Sequence, residues 1–227
     1  MYHYPVKVIR FAVSRFAVAA AALVLCAAPL AAHPHMFLES RAEIVTRGGS
    51  LSGVWLEWKL DTFFSADLIH GYDLNRDGIF DAAETRALEQ GAFANLRHYH
   101  YFTFIRVGTV RTNPSAVKDF SARQSGGAVI YRFFVDLSAY AADELYLAVY
   151  DYTYFCDIRY PQRDPVSITD GAQVPGRTLR WEIVENREYP VYYNPLGAVD
   201  DTTGYYKPAP GLATYYPREI RIFGDAR

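Results

Sequence analysis

Residues 35–60 read HMFLESRAEIVTRGGSLSGVWLEWKL, and this stretch decides the fold class. Two runs of strand-forming residues, 35–46 and 51–60, flank the pair Gly48-Gly49, which predicts a β-hairpin. The apolar residues of the second run recur at every other position: Val54, Leu56, Trp58 and Leu60. A strand with this period has one apolar face, so we expect the hairpin to pack one face against a core.

Similar runs continue along the rest of the chain. Aromatic and β-branched residues cluster over 101–110, 128–137, 145–158, 177–185 and 219–223. Glycines and prolines typical of turns separate these runs, so the sequence predicts about seven short strands. The expected fold class is therefore mainly β (α+β), with an antiparallel, sandwich-like core.

One helical stretch, over about 62–97, interrupts the strands. Asp61 is placed to cap its start, and Phe64, Leu68 and Tyr72 recur every four residues on one face. Residues 33–227 are therefore expected to form a single β-rich domain that carries one EF-hand-like helical insertion.

The most specific motif lies inside this insertion, where residues 73–84 read DLNRDGIFDAAE. The register matches the twelve-residue calcium loop of an EF-hand, which needs oxygen ligands at positions one, three, five, seven, nine and twelve. Those positions hold Asp73, Asn75, Asp77, Ile79 (through its carbonyl), Asp81 and Glu84. Gly78 occupies position six, where such a loop turns sharply. The motif predicts a Ca²⁺ site; the alternative is an acidic helix–turn–helix that binds no ion.

The sequence contains a single loop of this kind, whereas calcium sensors use paired loops. An exported protein meets calcium near the affinity range of weak extracellular modules, about 10⁻⁴ to 10⁻³ M. We therefore expect the ion to hold two helices together as a structural clamp.

The first 32 residues have the character of a cleavable signal peptide. Basic residues precede an apolar run over 16–25, and small residues at 27–32 lead to a cleavage site after Ala32. This pattern predicts export to the periplasm; the alternative is an uncleaved membrane anchor. Cleavage would remove Cys26 and leave Cys156 as the one thiol, which we expect to be buried on a strand.

Composition and motifs exclude several classes of function. A chain of 227 residues with 51% hydrophobic and 16% aromatic residues is not intrinsically disordered. With 23 basic against 25 acidic residues, it lacks the charge of a usual nucleic-acid binder. The sequence has no serine-hydrolase elbow, phosphate-binding glycine loop or zinc-protease motif, so we do not expect an enzyme. The one enzymatic alternative is copper oxygenase chemistry at an N-terminal histidine.

Histidines form the second candidate site. His33 and His35 flank Pro34, and signal cleavage would make His33 the new N-terminus. Pro34 lacks the amide nitrogen that a square-planar terminal chelate requires, so ligation through the imidazoles is expected. His98 and His100 are predicted to lie on one face at the start of the following strand. Together the two pairs would suit Zn²⁺, Ni²⁺ or Cu²⁺; the alternatives are a terminus that binds nothing in particular and a half-exposed strand surface.

Five stretches of the chain resemble a known family: 33–37, 58–65, the loop 73–84, 101–103 and 149–154. They resemble the exported bacterial proteins called DUF1007, up to at least residue 160. The resemblance implies a substrate-binding component of a transport system, similar in context to proteins encoded beside NicO-class nickel/cobalt permeases, with zinc uptake implied for some. It carries metal handling onto His33, His35 and the loop ligands. The Tyr- and Pro-rich tail, 189–217, lies outside the resemblance.

These observations predict a periplasmic metal-binding accessory protein for an inner-membrane permease, with a structural Ca²⁺ loop. The transported metal would be Zn²⁺, Ni²⁺ or Co²⁺, with Cu²⁺ as a further candidate. The alternative is a calcium-stabilised extracytoplasmic interaction or adhesion module, whose binding face is the Tyr-rich tail.

Overall fold

The computed structural model describes residues 33–47, 50–140, 143–169, 179–198 and 200–224, so the predicted signal peptide lies outside the described residues. The strands are β1 (Met36–Arg47), β2 (Ser50–Leu60), β3 (Thr103–Val107), β4 (Val110–Thr112), β5 (Lys118–Ser125), β6 (Ala128–Asp136), β7 (Glu144–Val149), β8 (Cys156–Arg159), β9 (Val166–Thr169), β10 (Leu179–Glu185), β11 (Val191–Tyr193), β12 (Ala213–Tyr215) and β13 (Arg218–Gly224). Helices α1 (Thr62–Tyr72) and α2 (Ala82–Gly91) and a 3₁₀ segment (Phe93–Phe102) lie between β2 and β3. The prediction of a mainly β (α+β) fold is confirmed. Within the described ranges, no helix is long and apolar enough to cross a membrane.

Two sheets build the body of the protein. The first has the order β5-β6-β2-β1-β8, with β9 also pairing with β1, and the second has the order β10-β13-β7-β3-β4. β11 and β12 form a separate two-stranded sheet. The pairs are antiparallel except that β8 and β9 run parallel to β1. The antiparallel core therefore carries two parallel strands at one edge, and β8 is brought beside the start of β1.

The hairpin predicted from residues 35–60 consists of β1 and β2, which pair antiparallel with Ala42 opposite Leu56. Its alternating apolar side chains are buried, as the period predicts: Val54, Leu56, Trp58 and Leu60. Leu147 and Ile220 of the second sheet belong to the same hydrophobic core. Because both sheets contribute to one core, they pack as a sandwich. Truncating Leu56 to alanine is expected to cost about 2–5 kcal/mol of stability.

The helical insertion is tied to the first sheet at its start. Asp61 caps α1, as predicted: its Oδ1 accepts a hydrogen bond from the Phe64 amide at 2.8 Å, and its Oδ2 accepts one from the Phe37 amide of β1 at 2.9 Å. Ser65 is buried, and its Oγ accepts a hydrogen bond from the Val129 amide of β6 at 2.8 Å. These bonds fix α1 against two strands of the same sheet.

Candidate metal centres

The predicted calcium loop joins the two helices of the insertion. α1 ends at Tyr72 and α2 begins at Ala82, so residues 73–84 span the connection and the first turn of α2. Gly78 has a φ of 82°, a left-handed conformation that glycine adopts without strain. Its amide donates a hydrogen bond to Asp73 Oδ2 at 3.1 Å. The sharp turn predicted at position six is therefore present.

Side chains at positions three and five support the backbone of the loop. Asn75 Oδ1 accepts a hydrogen bond from the Asp77 amide, and Asp77 Oδ1 accepts one from the Ile79 amide, both at 2.9 Å. Each of these oxygens has a second lone pair. Asn75 and Asp77 therefore keep the capacity to bind an ion while they hold the loop.

Glu84, at position twelve, reaches back across the loop. Its Oε1 accepts a hydrogen bond from the Leu74 amide at 2.8 Å, and its Oε2 accepts one from the Asp81 amide at 3.1 Å. Asp81 Oδ1 accepts in return from the Glu84 amide at 2.9 Å, which makes a reciprocal cap at the start of α2. Both carboxylate oxygens of Glu84 therefore face the loop, where a bidentate calcium ligand has to be.

Asp73 is the most buried of the candidate ligands in the loop. Its side chain is 5% exposed, and its Oδ1 has no hydrogen-bond partner among the described residues. The hydrogen bond from Gln124 to its Oδ2, at 2.8 Å, is the main cause of the lowered pKa of this carboxyl. Asp73 is therefore ionised at neutral pH. A buried carboxylate oxygen without a partner is costly, and a cation would satisfy it.

The loop is anchored on the protein's own core. Phe80, at position eight, is 6% exposed and belongs to the hydrophobic core, whereas the neighbouring Ile79 is 65% exposed. In paired EF-hands, the residue at this position ties one loop to the other. Here Phe80 packs into the protein's own core and not against a second loop.

The loop carboxylates do not converge on one point. No three His, Cys, Asp or Glu side chains in the described ranges are grouped closely enough to hold a metal ion. Calcium binding at residues 73–84 therefore stays a prediction.

His33 and His35 lie next to each other just before β1. Their ring centroids are 4.7 Å apart, and the ring planes meet at 75°. The Phe155 ring lies 5.2 Å from the His35 ring and 6.4 Å from the His33 ring. The Phe155 carbonyl also accepts a hydrogen bond from the His35 amide at 2.9 Å. The loop that precedes β8 therefore holds the histidine pair in place.

Each histidine of the pair has one buried ring nitrogen without a hydrogen-bond partner in the part of the chain that is described: Nδ1 of His33 and Nε2 of His35. His33 is 6% exposed, and burial is the main cause of its lowered pKa, with a further contribution from His35. His33 is therefore neutral at pH 7. Neutral imidazole is the form that binds a metal ion.

Gly197 and Asp201 lie beside the His33 ring. A Cβ atom added to Gly197 would lie 2.8 Å from His33 Nε2 and 2.7 Å from Asp201 Oδ2, so both atoms occupy space that only glycine leaves free. Asp201 Oδ1 accepts a hydrogen bond from the Thr203 amide at 3.0 Å. Asp201 could not be predicted from the sequence, because no local pattern links it to His33. The acidic doublet at 200–201 is the one signal that could have pointed to it.

His98 and His100 differ from their prediction. They lie in the 3₁₀ segment, and β3 begins only at Thr103. Residues 100–102 all have positive φ, between 49° and 57°, so the chain turns here and the two imidazoles do not alternate along a strand. The prediction that both lie on one strand face is wrong for this reason. Nor do the two histidine pairs form one site, since the described residues contain no group of three metal-ligating side chains.

Asp151 shapes the loop that carries Phe155. Its Oδ1 accepts hydrogen bonds from the Thr153 amide at 2.9 Å and the Thr153 hydroxyl at 2.8 Å, and its Oδ2 accepts one from the Cys156 amide at 3.0 Å. Burial raises the pKa of Asp151, and these hydrogen bonds oppose that rise. Cys156 is buried on β8, as predicted, and burial raises the pKa of its thiol well above the usual value. A thiol in this state is a packing group and not a nucleophile.

Much of the Tyr- and Pro-rich tail packs on the body of the protein. Tyr193 of β11 and Tyr215 of β12 lie against Tyr154, with ring centroids 4.2 and 4.9 Å away. Val191 is buried, whereas Tyr206 is almost fully exposed. The paired tyrosines are thus used mainly for packing.

Comparison with known proteins extends the resemblance along the chain. The family profile described as "Protein of unknown function (DUF1007)" matches residues 18–223. The "Uncharacterized 15.5 kDa protein in trpE 3'region" of Spirochaeta aurantia is 36% identical to this chain over 110 residues, which cover 47% of this chain and 79% of that protein. The profile includes residues 189–217, so the tail is part of what the chain shares with the family.

Proposed function

We infer the function of this chain, which belongs to the DUF1007 family, from its two candidate metal centres. The proposal is an exported metal-binding accessory protein for transition-metal transport, in which a calcium loop has a structural role. The transition metal is the substrate and binds at His33 and His35. The observation that carries the proposal is the adjacent pair of imidazoles, each with a buried ring nitrogen that has no partner among the described residues.

Two imidazoles at this separation can share one metal ion. Zinc–nitrogen bonds of about 2.0–2.1 Å in a tetrahedral site place two ligand nitrogens about 3.3 Å apart, and rings whose centroids lie 4.7 Å apart can bring one nitrogen each to that distance. The ligands are then Nδ1 of His33 and Nε2 of His35. Imidazole suits Zn²⁺, Ni²⁺, Co²⁺ and Cu²⁺, whereas Ca²⁺ prefers oxygen.

Asp201 fits this assignment as a positioning residue. The other nitrogen of His33, Nε2, shares the Gly197 side of the site with Asp201 Oδ2. A carboxylate that accepts a hydrogen bond from the second ring nitrogen orients a metal-binding imidazole and raises its basicity. A site with two protein ligands also leaves coordination positions open, which suits a protein that passes its metal to a permease.

The calcium loop supports the fold in this proposal. An ion bound between Asp73 and Glu84 would join the end of α1 to the start of α2 and satisfy the unpartnered Asp73 Oδ1. Ser65 already fixes α1 to β6, so the ion would hold both helices against the first sheet.

The periplasmic location and the permease partner rest on sequence. The predicted signal peptide over residues 1–32 supports export, and the resemblance to proteins encoded beside NicO-class permeases supports a partner in the inner membrane.

Metal accumulation in cells that lack the protein tests this function. Under limiting zinc, nickel or cobalt, deletion is expected to change the cellular content of one of these metals, measured by mass spectrometry. Wild-type protein should restore it, and the His33→Ala/His35→Ala variant should not. A His98→Ala/His100→Ala variant is the matched control and should restore it as well. Unchanged content of all three metals would contradict the transport role, and protein isolated from the periplasm without any of them would contradict metal binding.

A further inference from the structure

A cavity of about 220 Å³ lies between the inner face of the first sheet and the helical insertion. Trp58 and Leu60 of β2 line one side, and Phe93 and Leu96 of the 3₁₀ segment line another. Well-packed protein interiors contain few voids larger than a water molecule. A space of this size is therefore a candidate ligand site.

The chemistry of the walls limits what can bind. The lining is almost wholly apolar, and many of its side chains are aromatic: Trp58, Phe64, Phe93, Tyr99, Phe102 and Phe155. Asp151 and Thr153 also line the cavity, but they are hydrogen-bonded to each other. The described lining therefore offers ring faces and edges to an uncharged ligand, and both oxygens of its one carboxylate, Asp151, already accept hydrogen bonds.

Size and access narrow the ligand class further. An apolar cavity of about 150 Å³ holds one benzene molecule, so about 220 Å³ accommodates up to two fused rings. Phe64, which is 36% exposed, and the exposed Thr202 both line the cavity, so it reaches the protein surface. We propose that this cavity binds a compact, uncharged aromatic molecule of one or two rings. The cavity shares Phe155 with the histidine pair, but binding of the aromatic molecule in the cavity does not depend on the metal site.

Titration of the full-length protein with 2-naphthol, in calcium buffer without added transition metal, tests the inference. We expect saturable binding at one site by calorimetry, together with a rise in melting temperature. The control ligand 1-decanol has the same number of non-hydrogen atoms but no ring, and it should bind at least tenfold more weakly. Absence of saturable 2-naphthol binding would overturn the proposal, as would equal affinity for the two ligands.

Two alanines provide a matched pair of variants. Ala92 lines the cavity, whereas Ala87 is exposed on α2 and is not part of the lining. Ala92→Phe should abolish 2-naphthol binding because the new ring fills the space, and Ala87→Phe should retain it. Wild-type affinity in a folded Ala92→Phe variant would place the ligand elsewhere and overturn the assignment.

A measurement on the wild-type protein locates the ligand even if Ala92→Phe does not fold. Met36 lines the cavity, and the only other methionine in the chain is Met1. The NMR signal of the ¹³C-labelled Met36 methyl group should shift with 2-naphthol at the concentrations that give the calorimetric curve, because an aromatic ring would lie beside it. A Met36 signal that stays in place at saturation would overturn the location.

Discussion

The predicted calcium loop and the histidine pair are built in opposite ways. The loop draws its candidate ligands from residues 73–84, and most of its hydrogen bonds join residues within that stretch. The histidine pair draws on three distant parts of the chain: the start of β1, the loop that carries Phe155, and the segment with Gly197 and Asp201. The first site depends on local sequence, and the second depends on the fold being complete.

This difference predicts how the two regions respond to change. A mutation that disturbs the packing around Gly197 and Asp201 should displace His33 and leave the loop intact. A defect in the loop should loosen α1 and α2 without removing either imidazole. The two centres should therefore be separable by point mutation.

The largest expected effect is on transition-metal affinity. His33→Ala with His35→Ala removes both proposed ligands and should weaken zinc binding about a thousandfold, equivalent to about 4.1 kcal/mol. Calorimetric titration with Zn²⁺, Ni²⁺ and Cu²⁺ measures this loss. Calcium stabilisation of the same variant should be unchanged. Zinc affinity equal to wild type would move the site away from residues 33–35.

The next effect concerns calcium. At a hundredfold excess of calcium over its dissociation constant, binding stabilises the native state by about 2.7 kcal/mol, which should appear as a higher melting temperature. Glu84→Gln should lose most of this gain, because it removes charge from the expected bidentate ligand. Glutamine has one acceptor oxygen, so it can keep only one of the two backbone hydrogen bonds that Glu84 accepts, and the calcium-free stability should fall by about 1 kcal/mol.

Glu89→Gln is the matched control for that experiment, since it makes the same change on α2 outside the loop. It should show the full calcium response. If calcium leaves the wild-type melting curve unmoved, residues 73–84 form a turn and not an ion site.

A smaller effect tests whether Asp201 positions His33. Asp201→Asn should weaken zinc binding about tenfold, the low end of what loss of a carboxylate behind a metal-bound imidazole costs. Asp200→Asn removes the same charge from the neighbouring, exposed residue and should have little effect. Competition with a zinc indicator measures both. An equal loss in the two variants would show a general charge effect instead of a specific contact.

The smallest effect is on the pH dependence of the metal-free protein. Burial and His35 lower the pKa of His33 in the folded state, so the unfolded chain takes up the proton first as the pH falls below the usual histidine pKa of about 6.5. The stability that comes from neutral His33 is therefore complete above that pH and decreases below it. His33→Gln should reduce the decrease in unfolding free energy, measured by denaturant titration on both sides of pH 6.5. An identical pH dependence in wild type and variant would contradict a neutral, buried His33.

Local features of this chain could be predicted from sequence, and long-range ones could not. The alternation in β2 and the Asp61 cap depend on residues a few positions apart, and both predictions are confirmed. The prediction for His98 and His100 is wrong because nothing in the sequence signals the three consecutive left-handed residues 100–102 of the 3₁₀ segment. Asp201 and the aromatic cavity were missed because packing alone brings their parts together.

Phe80 has a consequence for the way the loop would respond to calcium. Paired EF-hand loops influence each other's occupancy, which makes their response steep. In this chain the corresponding residue is buried in the protein's own core, and the sequence contains no second loop. Calcium binding should therefore be non-cooperative, and occupancy would rise from one tenth to nine tenths only over about an 80-fold range of concentration. The occupancy of such a loop changes little when the calcium concentration varies by a small factor, so the protein would keep one shape while its surroundings vary.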